Sequence, residues 1–419
     1  MVVNFSTKPE RLAFYFFCFI SLFVVITLRR PDIIMNAQPW AEDGRVWIQN
    51  IYNDGFWNSF YSPQNGYYQT ISRIAFGIGL LFGLSKAALI ANTIAISIRC
   101  FFVLYILSSR MSFIDIRLRI FSILYFLFMP NVQEGYVNIT NAHWYLSMYL
   151  MAVVISDEAK NKIWKIHDYL LLVISSLSGP FVVFIAPCLF LKRIIQRGGI
   201  IKAVKQINLF DALMIVLFTI QFIAILSSSD AGRSHAPLGA SFGVLVNIIS
   251  YRVFWGTFLS DSISYPLSLI YWLNLIIFCF MVTSILYSFV VSGWRLKCSI
   301  LFVLLMIAFA LAKPMISMTQ PQWPCLLNPN AGERYFYITN FGFFCFILSI
   351  LNRNHVAKVV IAYVLFALMI PLFFISFSVQ PNADTGYLND IKKFNALPRG
   401  ETMSININPP GWTMQLIKK

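Results

Sequence analysis

The sequence predicts an all-α, polytopic integral membrane protein, and three observations predict it. Of the 419 residues, 58% are hydrophobic and only 12% are charged, against roughly a quarter charged in soluble domains. The apolar residues come in blocks at 12–28, 209–226, 267–291 and 359–378, each near the ~20 residues that cross a hydrocarbon layer. The formal net charge of +15 falls in short clusters between blocks. That pattern encodes topology, so no nucleic-acid partner is expected.

The first block has a basic flank (Lys8, Arg11) and is followed by Arg29 and Arg30 with no small-residue cleavage site. It reads as a retained helix, not a secretory leader. Clusters at Arg110/Arg117/Arg119, Lys160/Lys162/Lys165, residues 192–205, Arg295/Lys297 and Arg353/Lys358 mark inner loops, because positive residues near span ends stay inside. The N terminus is then inside, the C terminus outside, and the outer loops are 29–70, 131–142, 227–266 and 313–337. Two stretches resist counting. Residues 71–84 are short, and 169–191 are interrupted by Ser178-Gly179-Pro180, which breaks or re-enters a helix. As partial elements they leave nine crossings, and as full spans eleven or more, so about 9–12 helices are expected when partial and re-entrant ones are included.

Residues 1–378 form the expected transmembrane domain, and 379–419 an ordered cap on the outer face, too short for its own core. No internal repeat is present, which weakens an inverted-repeat transporter. Six of the seven cysteines lie in or beside apolar blocks and only Cys325 in a polar loop. No disulfide framework follows.

Chemistry is expected on the outer face. In the first outer loop, Gln38-Pro39-Trp40-Ala41-Glu42-Asp43-Gly44-Arg45-Val46-Trp47 sets two adjacent carboxylates among aromatics. Such an acid can take a proton from an attacking hydroxyl. The competing reading is that Glu42 or Asp43 caps a helix starting near Gly44 or pairs with Arg45. Tyr61-Ser62-Pro63 turns into an aromatic stretch with Tyr67, Tyr68 and, beyond it, Arg73. These rings either stack on sugars or belong to the aromatic belt of a membrane protein. Asn138-Ile139-Thr140-Asn141-Ala142-His143-Trp144-Tyr145 opens a span. His143 there is a phosphate or sugar ligand or a satisfied boundary histidine, and the Asn-Ile-Thr triplet matches a glycosylation acceptor. Gly332-Glu333-Arg334-Tyr335 supplies a planar cation suited to phosphate, or else an Arg334–Glu333 or Arg334–lipid contact. Arg99 lies inside an apolar block and is a functional candidate unless it snorkels. No Gly-rich phosphate loop, Cys-x-x-Cys pair or metal-ligand spacing occurs. No cofactor is therefore expected, with a divalent metal left open.

In order along the chain, Trp40-Ala41-Glu42-Asp43-Gly44, a Tyr-x-Pro turn, Asn-Ala-His-Trp, Gly-x-Arg-Tyr and Asn408-Pro409-Pro410-Gly411-Trp412 resemble the serotype-converting O-antigen glucosyltransferases of temperate bacteriophages. These look like members of the C-type glycosyltransferase superfamily. The resemblance implies glucosyl transfer on the periplasmic face of a bacterial inner membrane. The donor would be undecaprenyl-phosphate glucose, the acceptor lipid-linked O-antigen, and a donor synthase and a flippase would act upstream. It further implies that Asp43 or Glu42 is catalytic. Arg334, with Arg73 and His143, is assigned to the donor phosphate, and Trp40, Arg45, Tyr67, Tyr68, Asn141 and Trp144 to sugar or acceptor. Two alternatives remain. An O-antigen polymerase would want more outer arginines than Arg233, Arg252 and Arg334. A transporter or flippase would want mid-membrane charges, and only the Ser178–Pro180 break favours it.

Overall fold

Helix dominates the computed structural model, which describes residues 8–228, 234–351 and 356–419. Arg233 and Arg353 lie outside the described residues. Five of the described helices are long and apolar enough to cross a membrane: Pro9–Arg29, Leu84–Leu107, Leu209–Ser227, Tyr271–Val291 and Trp294–Ala312. Their outward faces leave large apolar side chains bare, among them Leu12, Phe16 and Phe17 on the first and Trp272, Ile276 and Phe280 on the fourth. Contiguous faces of that kind are solvated by hydrocarbon rather than water. A multi-pass membrane protein follows.

Shorter helices run between the same two ends, including Ile116–Phe128, Ala142–Ile155, Lys162–Ser176, Val182–Arg197 and Tyr337–Leu351. The two ambiguous stretches behave differently. Thr70–Leu81 is a 12-residue partial helix, turned back at Gly83, whose φ of +91° suits glycine, into Leu84–Leu107. The break at Ser178–Pro180 instead separates two helices, joined where Leu177 O accepts from the Thr70 N–H at 3.0 Å.

At one end of the bundle the basic clusters close helix termini. Lys192 Nζ donates to Val154 O and Ser156 O at 2.8 and 2.7 Å, and Arg119 Nη1 reaches the carbonyls of Ile106, Leu107 and Ser108. These are the last carbonyls of their helices, which have no partner inside the helix. Ion pairs Arg110–Asp168, Arg193–Asp211 and Arg197–Asp211, at 2.7–2.8 Å, stitch neighbouring helices there.

The other end carries the loops and the tail, where one small hairpin is added to an otherwise helical chain. Residues 379–419 contain a helix, Tyr387–Ala396, and an antiparallel hairpin of β1 (Thr402–Ile407) and β2 (Trp412–Ile417), with Thr402 opposite Ile417 and Ile407 opposite Trp412. Alternation is the cause: Ile405, Ile407, Met414 and Leu416 point inward and are fully buried, as a strand period of two requires. Tyr387, Ile391 and Phe394 form the buried stripe of the helix. The hairpin lies on the first loop. Gln49 Oε1 accepts from the Gln415 N–H at 2.8 Å and Asn53 Oδ1 from the Ile417 N–H at 3.1 Å.

Candidate active site at the loop-rich end

Asp43 begins a π-helical segment, Asp43–Ile48, that runs into the helix Gln49–Asp54. Such wide turns are rare and frequent at functional sites. The residue before the acids, Ala41, has φ +44°, a left-handed conformation that costs a β-carbon residue energy. It is held from outside: the Asn408 carbonyl accepts from the Ala41 N–H, and Pro39 O accepts from Asn408 N–H at 3.1 Å. The tail thus shapes the turn that presents Glu42 and Asp43.

Neither acid caps its helix. Glu42, at the N-cap position, makes no side-chain cap bond. Arg45 lies exposed over the Trp412 ring at 5.5 Å. Asp43 is 2% exposed, and its Oδ1 accepts from Thr140 Oγ1 at 2.6 Å and from the Thr140 N–H at 3.1 Å. The Thr140 hydroxyl in turn accepts from Trp47 Nε1 at 2.8 Å. Indole, hydroxyl and carboxylate therefore form a directed chain. Burial pushes the Asp43 carboxyl up to about 7, the Thr140 hydroxyl opposes that, and the neighbouring Glu42 charge adds to it. An acid so placed exchanges a proton near neutrality.

Arg334 stands in the 3₁₀ turn Glu333–Phe336. Three residues per turn send neighbouring side chains about 120° apart, so Arg334 does not form the Arg334–Glu333 pair that was one alternative to the phosphate reading. It pairs with Glu134 instead, whose Oε2 also accepts the Arg334 N–H at 3.1 Å. The guanidinium lies over the Tyr335 ring at 4.9 Å. Burial pulls Arg334 down, but Tyr335, Glu42 and Tyr67 outweigh it and hold the group above its ordinary value. Glu333 turns the other way, is buried, and accepts the Glu134 N–H at 3.0 Å.

His143 is buried in the first turn of Ala142–Ile155 rather than at an open boundary. Its ring stacks on Phe181 at 5.3 Å and meets Tyr67 edge-on at 6.4 Å. Its Nδ1 and the Trp144 Nε1 are buried without a hydrogen-bond partner. Gly179 passes so close that a Cβ there would sit 3.1 Å from His143 Cβ. Trp144 also packs on Tyr335, at 5.9 Å. Glu42, Asp43, Tyr67, His143, Trp144 and Arg334 are thus linked by contact or by field.

The remaining expected residues serve as framework. Arg73 is 1% exposed, donates to Ser59 Oγ at 2.9 Å and to Ser62 O, and lies over Trp47 at 5.1 Å. It braces the aromatic turn beneath the site rather than offering a phosphate cation. Asn141 is tied to Asn138 Oδ1 at 2.8 Å. Both Asn138 and Thr140 are buried, so the Asn-Ile-Thr triplet is not a glycosylation acceptor in the folded chain. Tyr68 is anchored through its backbone to Gln221 at 3.0 Å. Trp40 is half-buried and its backbone bridges to Asn408. Arg99 does not snorkel: it is buried between Tyr136 and Tyr145 and holds Gly135 O at 2.9 Å.

Sequence reasoning missed Thr140 and Glu134. Glu134 is the sole acid of the loop 131–142, and an unexplained carboxylate in a loop assigned to the site was a usable signal. Thr140 gave none. Among the described residues no group of three His, Cys, Asp or Glu side chains is placed to hold a metal ion. Comparison of the chain with family models, with curated proteins and with solved structures returns no match.

Proposed function

We propose that the chain is a glycosyltransferase of the bacterial inner membrane. It moves a hexosyl group, glucose by the resemblance above, from a polyprenyl-phosphate sugar to lipid-linked O-antigen on the periplasmic face. In this reading the loop-rich end is periplasmic, the N terminus cytoplasmic and the C terminus periplasmic. The observation that carries it is the buried Asp43, held by Thr140 and raised to about 7, with Arg334 in the field of its neighbour Glu42 at one end of an apolar bundle.

Asp43 accepts the proton of the acceptor hydroxyl as that oxygen bonds to the anomeric carbon. The bond from that carbon to the phosphate oxygen breaks, and both its electrons leave with the polyprenyl phosphate. Thr140 holds Oδ1 in place throughout. Glu42 faces the positive charge that develops on the sugar, and Arg334 meets the negative charge gathering on the leaving phosphate. Tyr67, half-buried and edge-on to the buried His143, supplies a flat surface for a sugar ring. A lipid-borne donor makes a nucleotide-binding loop unnecessary, and the bundle holds its tail. Donor synthase and flippase activities act upstream.

The test is Asp43→Asn, with glycan analysis of lipopolysaccharide from cells carrying either form. Side-chain hexose should fall at least ~100-fold, the low end for removing a general base, with membrane insertion intact. Undiminished hexose would overturn the assignment.

A further inference from the structure

A cavity of about 370 Å³ opens among the loops, apart from Glu42, Asp43 and Arg334 but lined by Glu333, the chain neighbour of Arg334. Asn131, Gln133, Asp261, Ser262, Glu333 and Ser378 are among the residues that line it. Its size falls in the range of small-molecule sites.

Its charges are already spent. Asp261 Oδ2 accepts from Arg252 Nη1 at 2.9 Å and from the Asn330 N–H at 2.6 Å. Arg29 reaches the cavity but donates to the carbonyls of Leu127, Met129, Ser376 and Phe377. Burial first, then Asp261, lifts Glu333 to about 8 against the pull of Arg252, so it is mostly protonated at neutral pH and able to donate. A free phosphate finds no uncommitted cation here, and a metal ion no uncommitted pair of carboxylates. The amides are largely committed too, Asn131 Nδ2 to Gly256 O and Leu259 O, Asn131 Oδ1 to the Asp261 N–H and Gln133 Nε2 to Gln380 O. Beyond them the lining offers hydroxyl and carboxyl edges, with the Ser376 hydroxyl buried and unpartnered. This is the recognition chemistry of a neutral, polyhydroxylated ligand.

Its position connects it to the reaction. Glu333 and Arg334 are consecutive, and Glu134 touches both, giving its N–H to Glu333 and its carboxylate to Arg334.

We propose that this cavity seats the acceptor, a neutral oligosaccharide, and offers one of its hydroxyls to Asp43. Its role as acceptor seat rests on the glycosyltransferase reading. Its preference for neutral saccharide rests on the cavity alone.

The full chain in lipid nanodiscs is titrated with O-antigen oligosaccharide, released by mild acid from lipopolysaccharide of a strain lacking this protein, and followed by saturation-transfer NMR. Farnesyl phosphate serves as a separate probe of the donor side. Wild type and Asp43→Asn should bind the oligosaccharide equally. Ser262→Trp and Ser378→Trp, both at exposed positions, should weaken it at least tenfold and leave farnesyl phosphate binding unchanged. Gln133→Ala, which adds no bulk, should weaken it several-fold. Oligosaccharide bound equally by wild type and all three cavity variants would overturn the seat and leave the transferase reading standing. No binding by wild type, with farnesyl phosphate still bound, would overturn the seat and the O-antigen acceptor together.

Discussion

Asp43 is buried in a way that opposes its own charge, and that gives its substitution two effects of opposite sign. Its folded value, about 7, exceeds the ordinary 3.8. The contribution to stability is therefore full below the ordinary value and lost as pH rises through about 7. Asp43→Asn removes the ionisation yet keeps an oxygen for Thr140. It should raise the Tm of the detergent-solubilised protein at pH 8, even as transfer is abolished. An unchanged or lower Tm at pH 8 would mean the carboxylate is better solvated than its surroundings indicate. Thr140→Val deletes a hydroxyl that favours the ionised form and orphans the Trp47 indole, at a cost of about 1–3 kcal/mol. The rising limb of the pH–rate profile should move to higher pH, and a profile that stays put would uncouple Thr140 from the base. Glu134 holds the fork of Arg334 that a donor phosphate would need. Glu134→Gln should tighten farnesyl phosphate binding about tenfold, within the range of one charge-assisted contact. Weaker binding would make Glu134 a positioning residue instead. Of these residues Asp43, Glu42 and Arg334 were legible in the sequence, because acids among aromatics and a loop arginine stand out. Their partners were not, because Thr140 and Glu134 meet them only through tertiary folding.

Among the elements, the hairpin of β1 and β2 depends on the site and the site on it. Its inner face is apolar, its edge meets Gln49 and Asn53, and its turn holds Ala41 in a conformation that residue would not keep alone. Removing residues 398–419 should leave a chain that inserts in the membrane but transfers no hexose, as judged by membrane fractionation and glycan analysis. Retained transfer would show that the acids keep their pose without the clamp. This hairpin was readable: Ile405 and Ile407, then Met414 and Leu416, alternate across Pro409-Pro410-Gly411. The apolar composition of the rest drew the tail into the helical class. The break at Ser178–Pro180 was also read correctly as a break. Whether two helices met there depended on Gln69 and Thr70, far off in sequence.

For the molecule as a whole, hydropathy gave the class and the positive clusters marked one end. Composition hid the use of those clusters, since Lys192 and Arg119 close the termini of neighbouring helices as well as marking a side. Two acids outside the spans, Asp43 and Glu333, are raised to about 7 and about 8. Both contributions are complete below the ordinary carboxylate range and fade as pH climbs through those values. Thermal stability in detergent should therefore fall from about pH 4 to about pH 8, across two overlapping windows that run from 3.8 to about 7 for Asp43 and from 4.5 to about 8 for Glu333. The slope should flatten in Asp43→Asn. A Tm constant across that range would show that the two acids are hydrated.

The contact between the first loop and the tail also sets a clock. Asn408 Nδ2 reaches Gln38 Oε1 at 3.4 Å, across 370 positions of chain, and synthesis at about 5–20 residues per second needs roughly 20–75 s to make that stretch. For that interval a nascent molecule has its acids in place on the ribosome-bound chain but not the turn that aims them. On the proposed function, any stalled translation product ending before residue 408 would be inserted and inactive in hexosyl transfer.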